Sequence, residues 1–269
     1  MTELATRGTT LGGIGIITGW GGGVAALPAD AAHAAGDRAT IAIDRPALAG
    51  PRFRRATREC LLGVAAVQAM LDAAGLPRES IAGADTALVY VTAAAYAASN
   101  RAFIEAATGG SALHFPYTAP SAVPAEVAIE FGLIGGYVIF VGGGTTTLEA
   151  LAHAAGLLGR GECARALVLA VETFRECEDL HARARWLLRR PLVEAAACAL
   201  LTPGDYDLTL TPTGVRADLT HAARRRAGET LSCEPLIALA LGLESGDDRL
   251  HLTCQWRDRP LSAEWTRGG

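Results

Sequence analysis

Three near-continuous apolar runs of strand length, "TALVYV" (86–91), "RALVLAVE" (165–172) and "LVEAAACALL" (192–201), set the narrowest limit on what this chain can fold into. A strand open to water on one face alternates apolar and polar residues. A run without alternation needs cover on both faces, which a sheet layered between helices supplies. Helical stretches separate the runs. Residues 54–75 repeat Leu61, Val64, Ala65 and Leu71 on one face and stop at Gly75-Leu76-Pro77. An alanine-rich helix follows the first run to about Thr108, residues 109–124 read as a loop, and a short helix runs to Phe131. Residues 12–18 predict a strand entering the turn "TGWGGG", and "ATIAID" (39–44) predicts a weaker one. This alternation predicts an α/β protein with a mainly parallel or mixed sheet.

The pattern changes after Pro203. Residues 204–230 are polar, with only a weak alternating strand at 206–212. A helix in "CEPLIALALGL" and strands at 249–256 and 261–266, joined through Asp258-Arg259-Pro260, complete the chain. The expected organisation is 1–203 as one half and 204–269 as a short helix-plus-hairpin half, forming one compact unit.

Composition removes several classes of function. All 24 basic residues are arginine, so a Schiff-base lysine and a P-loop lysine are excluded. A net charge of −4 with interspersed signs gives no basic face for nucleic acid. The six cysteines, Cys60, Cys163, Cys177, Cys198, Cys233 and Cys254, contain no CxxC pair, and no metal site or cofactor is implied. Cys163 and Cys198 are expected to be buried packing residues, and the chain to be reduced and cytosolic. No apolar run is long enough to span a bilayer. "LGGIGIITGWGGGVAAL" suits a strand and turn better than a secretory segment.

One junction stands out. In "YVIFVGGGTTTLEALAHAAGLL" (137–158), a short apolar strand meets Gly142, Gly143 and Gly144, and Thr145 opens a helix with Leu148, Leu151, Ala152, Ala155 and Leu158 on one face. Local residues leave three readings open. The bare helix N-terminus could hold an anion, although the spacing is neither GxGxxG nor GxxxxGK[ST]. Thr145, Thr146 or Thr147 could be a nucleophile, although no base lies nearby in sequence. The glycines could simply let helix and strand pack closely.

"PYTAPSAVPAEVAIEFGLIGGYVIFVGGGTTTLEALAHAAGLLGRGECARALVLAVET" (116–173) resembles the first half of the β-ketoacyl synthases of the thiolase fold. Phe131-Gly132-Leu133 and Gly135-Gly136 match the segment before the nucleophile elbow. Gly159 to Glu162 match the turn after its helix, and Ala170 to Thr173 match the end of the next strand. "IITGWGGGVAALP" is similar to the family's opening strand and turn, and the helix at 54–75 also matches. The resemblance spans about residues 11–202. It implies a layered thiolase-like α/β fold whose first half is intact and whose second half is shortened.

Two departures shape the functional expectation. Ketosynthases carry an acyl-accepting cysteine at the elbow, which the helix dipole activates. Here that position falls at Gly144, so elbow residues Gly142, Gly143, Gly144 and Thr145 form a turn without a nucleophile. The family's two catalytic histidines are not found after residue 203, and His221 and His251 read as surface or structural residues. The resemblance therefore implies a chain-length-factor-type subunit, like those of type II polyketide and aryl polyene systems. Such a chain forms a heterodimer with an active ketosynthase and meets acyl carrier protein only indirectly. Tyr96, Asn100, Phe103, His114, Phe115 and Tyr117 are the tunnel or interface candidates. Arg183, Arg185, Arg189 and Arg190 could meet an acidic carrier protein or form a solvated helix face. The alternatives are a thiolase-fold acyltransferase with a non-standard nucleophile, an anion- or nucleotide-binding module using the bare elbow, and a homodimeric scaffold.

Overall fold

The computed structural model describes residues 4–105, 112–174, 190–212, 218–246, 249–257 and 259–267. The strands are β1 (Leu4–Thr18), β2 (Gly21–Gly22), β3 (Thr40–Ile41), β4 (Thr86–Thr92), β5 (Tyr137–Val141), β6 (Arg165–Glu172), β7 (Leu192–Val193), β8 (Ala195–Pro203), β9 (Tyr206–Thr211), β10 (Arg249–Trp256) and β11 (Arg259–Arg267). The helices are α1 (Ala31–Ala35), α2 (Arg58–Ala74), α3 (Ala97–Glu105), α4 (Ala122–Phe131), α5 (Gly144–Gly159), α6 (Asp218–Ala227) and α7 (Glu234–Ser245).

The main sheet runs β10-β11-β9-β1-β8-β6-β4-β5, with β2 folded back on β1. It is mixed: β4 pairs in parallel with β5 and β6, and the strands from β6 through β8 to β10 pair antiparallel. The three apolar runs are its central strands, and their alternate residues serve two separate cores. Leu88, Tyr90, Leu167, Leu169, Cys198 and Leu200 face α2 and α4. Val89, Val91, Val168, Ala170, Ala197 and Ala199 face the opposite layer, where α5 and α7 pack. Burial on both faces explains the missing alternation. Strands from both sides of residue 203 share this one sheet.

Close approach explains the glycine-rich β1. A Cβ on Gly15 would sit 2.1 Å from the Met70 backbone nitrogen, so α2 lies directly on the strand. Leu61, Val64 and Leu71 are buried in that contact, while Ala65 sits at its margin. The helix ends where Gly75 turns left-handed at φ 65° and Leu76 N–H donates to Leu71 C=O at 2.9 Å.

Several boundaries differ from the sequence expectation. Residues 51–54 form a separate 3₁₀ turn before α2 begins at Arg58. β1 reaches back to Leu4 because β9 pairs with its polar first half. The run 192–201 breaks at Glu194, whose side chain is drawn into an ion pair. Only Thr40–Ile41 of "ATIAID" is strand, pairing with β7. Within the expected loop 109–124, residues 112–118 form a 3₁₀ helix and α4 begins at Ala122. The polar 204–230 segment hides α6, whose small buried Thr220, Ala223 and Ala227 give a narrow seam between arginines. Cys163 is half-buried rather than buried, because it lies after α5 at the rim of a small cavity. Cys198 is buried, and Cys177 lies outside the described residues. No helix among the described residues is long and apolar enough to cross a membrane.

Candidate functional site

The elbow forms where β5 ends. Gly142 N–H donates to Thr92 C=O at 3.0 Å, Gly143 caps the helix, and α5 begins at Gly144. None of the three glycines has a positive φ, and at Gly142 and Gly144 the requirement is space. A Cβ on Gly142 would lie 2.1 Å from the Thr146 hydroxyl oxygen. At Gly144 it would meet Cys254 of β10, at 3.0 Å from Sγ and 3.2 Å from Cβ. The place a nucleophile's side chain would start from is thus bordered by another cysteine's sulfur. Gly142, Gly143, Gly144 and Thr145 are all buried. Close packing therefore accounts for Gly142 and Gly144.

Cys254 is enclosed in the core. It is 1% exposed, and burial, reinforced by the charge of Glu234, pushes its thiol well above the ordinary value. Its Sγ contacts Glu234 Oε1 at 3.6 Å, and Glu234 is held by Arg224 Nε at 2.5 Å. Gly144→Ala should cost about 1–3 kcal/mol by overpacking. The cost should shrink in a Cys254→Gly background when both are measured by urea unfolding. An equal cost in the two backgrounds would place the strain elsewhere.

A buried carboxylate ties the elbow region together. Glu172, at the end of β6, accepts from the amides of Ala93 at 2.6 Å and Ala94 at 3.0 Å and from the Ser232 hydroxyl. Ser232 C=O in turn accepts from the Thr147 hydroxyl of α5 at 2.6 Å. The preceding Leu231 has φ 46°, a strained value for a branched residue. Burial pushes Glu172 up to about 7 despite these donors. The folded chain therefore holds this proton between the ordinary 4.5 and about 7, where the unfolded chain has released it. Stability should fall through that window as pH rises and level off above it, by about 2–4 kcal/mol for this group. Urea midpoints at pH 5 and pH 8 test this: Glu172→Gln should remove that part of the slope, and an unchanged slope would contradict it.

A second buried carboxylate, Glu194, receives both Arg58 terminal nitrogens, Nη2 at 2.8 Å, and the amides of Ile43 at 2.8 Å and Phe174 at 2.7 Å. Burial opposes its ionisation, but Arg58 and the two amides outweigh burial, and its carboxyl is lowered. Sequence reasoning noted neither carboxylate as a site. The available signal was a glutamate inside an otherwise apolar strand run, which demands a partner.

Among the tunnel and interface candidates, Asn100 is engaged locally, its Nδ2 donating to Tyr96 C=O at 3.2 Å. Phe103 of α3 meets Phe115 of the 3₁₀ helix edge-to-face at 5.7 Å, and Phe115 is 63% exposed. Tyr117 lines a different feature, a groove with Phe53 and Leu61. The His114 side chain lies outside the described residues, as do Arg183, Arg185 and Arg189; Arg190 is exposed. His221 is exposed, and His251 sits half-buried on β10 opposite Glu264.

The most unusual surface is β5. Among the described residues it is the last strand of the sheet, hydrogen-bonded only to β4, yet its residues are Tyr-Val-Ile-Phe-Val. Tyr137 is 51% and Val141 57% exposed. A bare apolar edge strand invites pairing with another chain.

A layered sheet with a strand–glycine turn–helix elbow beside parallel β4 and β6 defines a thiolase-like fold. The chain belongs to the beta-ketoacyl synthase family, whose N-terminal domain matches residues 43–192, more than half its length. No curated protein matches it by sequence. Solved structures of similar fold include AntDE:AntF, described as a type II PKS acyl-carrier protein in complex with its ketosynthase bound to the hexaketide. That likeness has 12% identity and a TM-score of 0.75, and covers 97% of this chain and 99% of that one. The ishigamide ketosynthase/chain length factor is similar at 17% identity, covering 97% and 100%, with a TM-score of 0.69. The ketosynthase ApeO in complex with its chain length factor ApeC from Xenorhabdus doucetiae follows at 14%, covering 97% and 99%, with a TM-score of 0.63.

Proposed function

We propose that this chain is a non-catalytic, chain-length-factor-type partner of an active ketosynthase. The observation that carries the reading is the elbow: Gly144 offers no nucleophile, and the space beside it is bordered by Cys254. An acyl thioester has neither an atom to form on nor room at that point. The exposed apolar edge of β5 supports assembly with a second chain, since a partner strand there would satisfy its free backbone groups and cover Tyr137 and Val141. Structures of similar fold include ketosynthase complexes with chain length factors, in keeping with this reading.

In this role the partner supplies the cysteine and histidines for condensation of carrier-bound acyl groups, and this chain supports its fold and shapes the acyl tunnel. Tyr96, Phe103, Phe115 and Tyr117 are our candidates for limiting chain length. Polyketide, polyene or fatty acyl chains are the proposed products. Co-expression with an active ketosynthase chain of the same organism tests the reading. The expected result is a one-to-one complex in which only the partner becomes acylated.

A further inference from the structure

Between the segment 45–57 and the turn at Pro116–Tyr117 lies an open groove of about 1310 Å³, and none of the elbow residues lines it. Its floor is apolar: Phe53, Ala56 and Leu61 are buried there, and Leu48 and Tyr117 are half-buried. Its rim carries three guanidinium groups, from Arg45, Arg54 and Arg55.

The neighbouring arginines show what is different about this rim. Arg52 is engaged by Glu126 at 3.1 Å and Glu130 at 3.4 Å, and lies 4.7 Å over the Phe53 ring. Arg58 is engaged by Glu194. Arg45 is fixed at the rim, its Nη2 donating to Phe53 C=O at 3.1 Å and Ala56 C=O at 2.6 Å. Arg54 and Arg55 are exposed, and their guanidinium groups have neither a carboxylate nor a hydrogen-bond acceptor among the described residues. Arg55 lies close enough to Tyr117 to be felt there: burial and the charge of Glu126 raise the phenol, and Arg55 opposes them.

An apolar floor beneath unneutralised guanidiniums matches a ligand with the same two parts. A typical small-molecule site measures about 300–1,000 Å³, so the groove has room for an extended chain together with its head. We propose that the groove binds an anionic amphiphile, an alkyl or acyl chain ending in a carboxylate or a phosphate. The chain lies over Phe53, Leu61 and Tyr117, and the head sits between Arg54 and Arg55. This goes beyond the partner role and does not depend on it, because the groove is formed by this chain alone.

Calorimetric titration of the full chain with dodecanoate, dodecyl phosphate and dodecanol, the anions kept below their micelle concentrations and the alcohol below its solubility limit, tests the inference. At least one anion should bind about tenfold more tightly than the neutral alcohol. Whichever head binds better identifies the source of the charge as carboxylate or phosphate. The Arg54→Gln/Arg55→Gln variant should lose about tenfold in anion affinity and keep its affinity for dodecanol. Leu48→Glu, which puts a like charge on the floor, should weaken both anions. The inference is overturned if no amphiphile binds, if dodecanol binds as tightly as the anions, or if the double arginine variant binds them like the unmodified chain. The residues changed in this test, Leu48, Arg54 and Arg55, belong to neither the elbow nor β5, so failure here leaves the partner reading standing.

Discussion

A single negative charge at Val141 is expected to release this chain from a ketosynthase partner while leaving its own fold intact. Val141 lies on the free edge strand β5 and is 57% exposed, so Val141→Glu places its carboxylate in water when the chain is alone. Exposed substitutions of this kind usually change stability by less than about 0.5 kcal/mol. In an assembly that covers β5 the same carboxylate would be dehydrated beside apolar neighbours. A buried unpaired charge costs several kcal/mol. About 3 kcal/mol corresponds to a hundredfold or greater loss of affinity. The measurement is co-purification and sedimentation of the co-expressed pair, with unfolding of the isolated variant as control. A complex that survives Val141→Glu unchanged would mean that β5 is not the contact.

The largest effect on stability is expected at Arg58. The Arg58–Glu194 pair joins the start of α2, the chain at Ile43, the loop after β6 and the junction of β7 with β8. Arg58→Ala removes the guanidinium that faces the fully buried Glu194 carboxylate. Breaking a buried pair from one side costs about 3–5 kcal/mol. Urea unfolding at neutral pH should show a loss of this size. The pH dependence provides a second readout. Glu194 is lowered in the folded chain, so its contribution is present above the ordinary carboxylate value of 4.5 and is lost as pH falls through the folded value. That acid-side loss should shrink in Arg58→Ala, opposite in sign to the slope assigned to Glu172. A variant as stable as the original would mean the ion pair does not hold these four segments together.

The layered sheet was legible in the sequence because full burial leaves a plain mark. β4, β6 and β8 are apolar at nearly every position, since each face meets its own helical layer. The elbow was legible as strand, glycines and helix, with the observed α5 starting one residue before Thr145. What stayed hidden depends on contacts across long separations. Nothing near Gly144 in sequence announces Cys254, which reaches it through the β10–β11 hairpin. The donors of Glu172 come from residues 93, 94 and 232, and those of Glu194 from residues 43, 58 and 174. Helix α6 escaped notice because its seam is built from threonine and alanine. The exposure of β5 was also hidden, since "YVIFV" has the composition of a buried strand and only its place at the end of the sheet exposes it.

The most direct test is intact-mass analysis of both chains after the co-purified pair meets an acyl-loaded carrier protein. The account predicts an acyl adduct on the ketosynthase chain and an unchanged mass for the chain carrying Gly144. A stable adduct on the latter, formed with or without its companion, would contradict it.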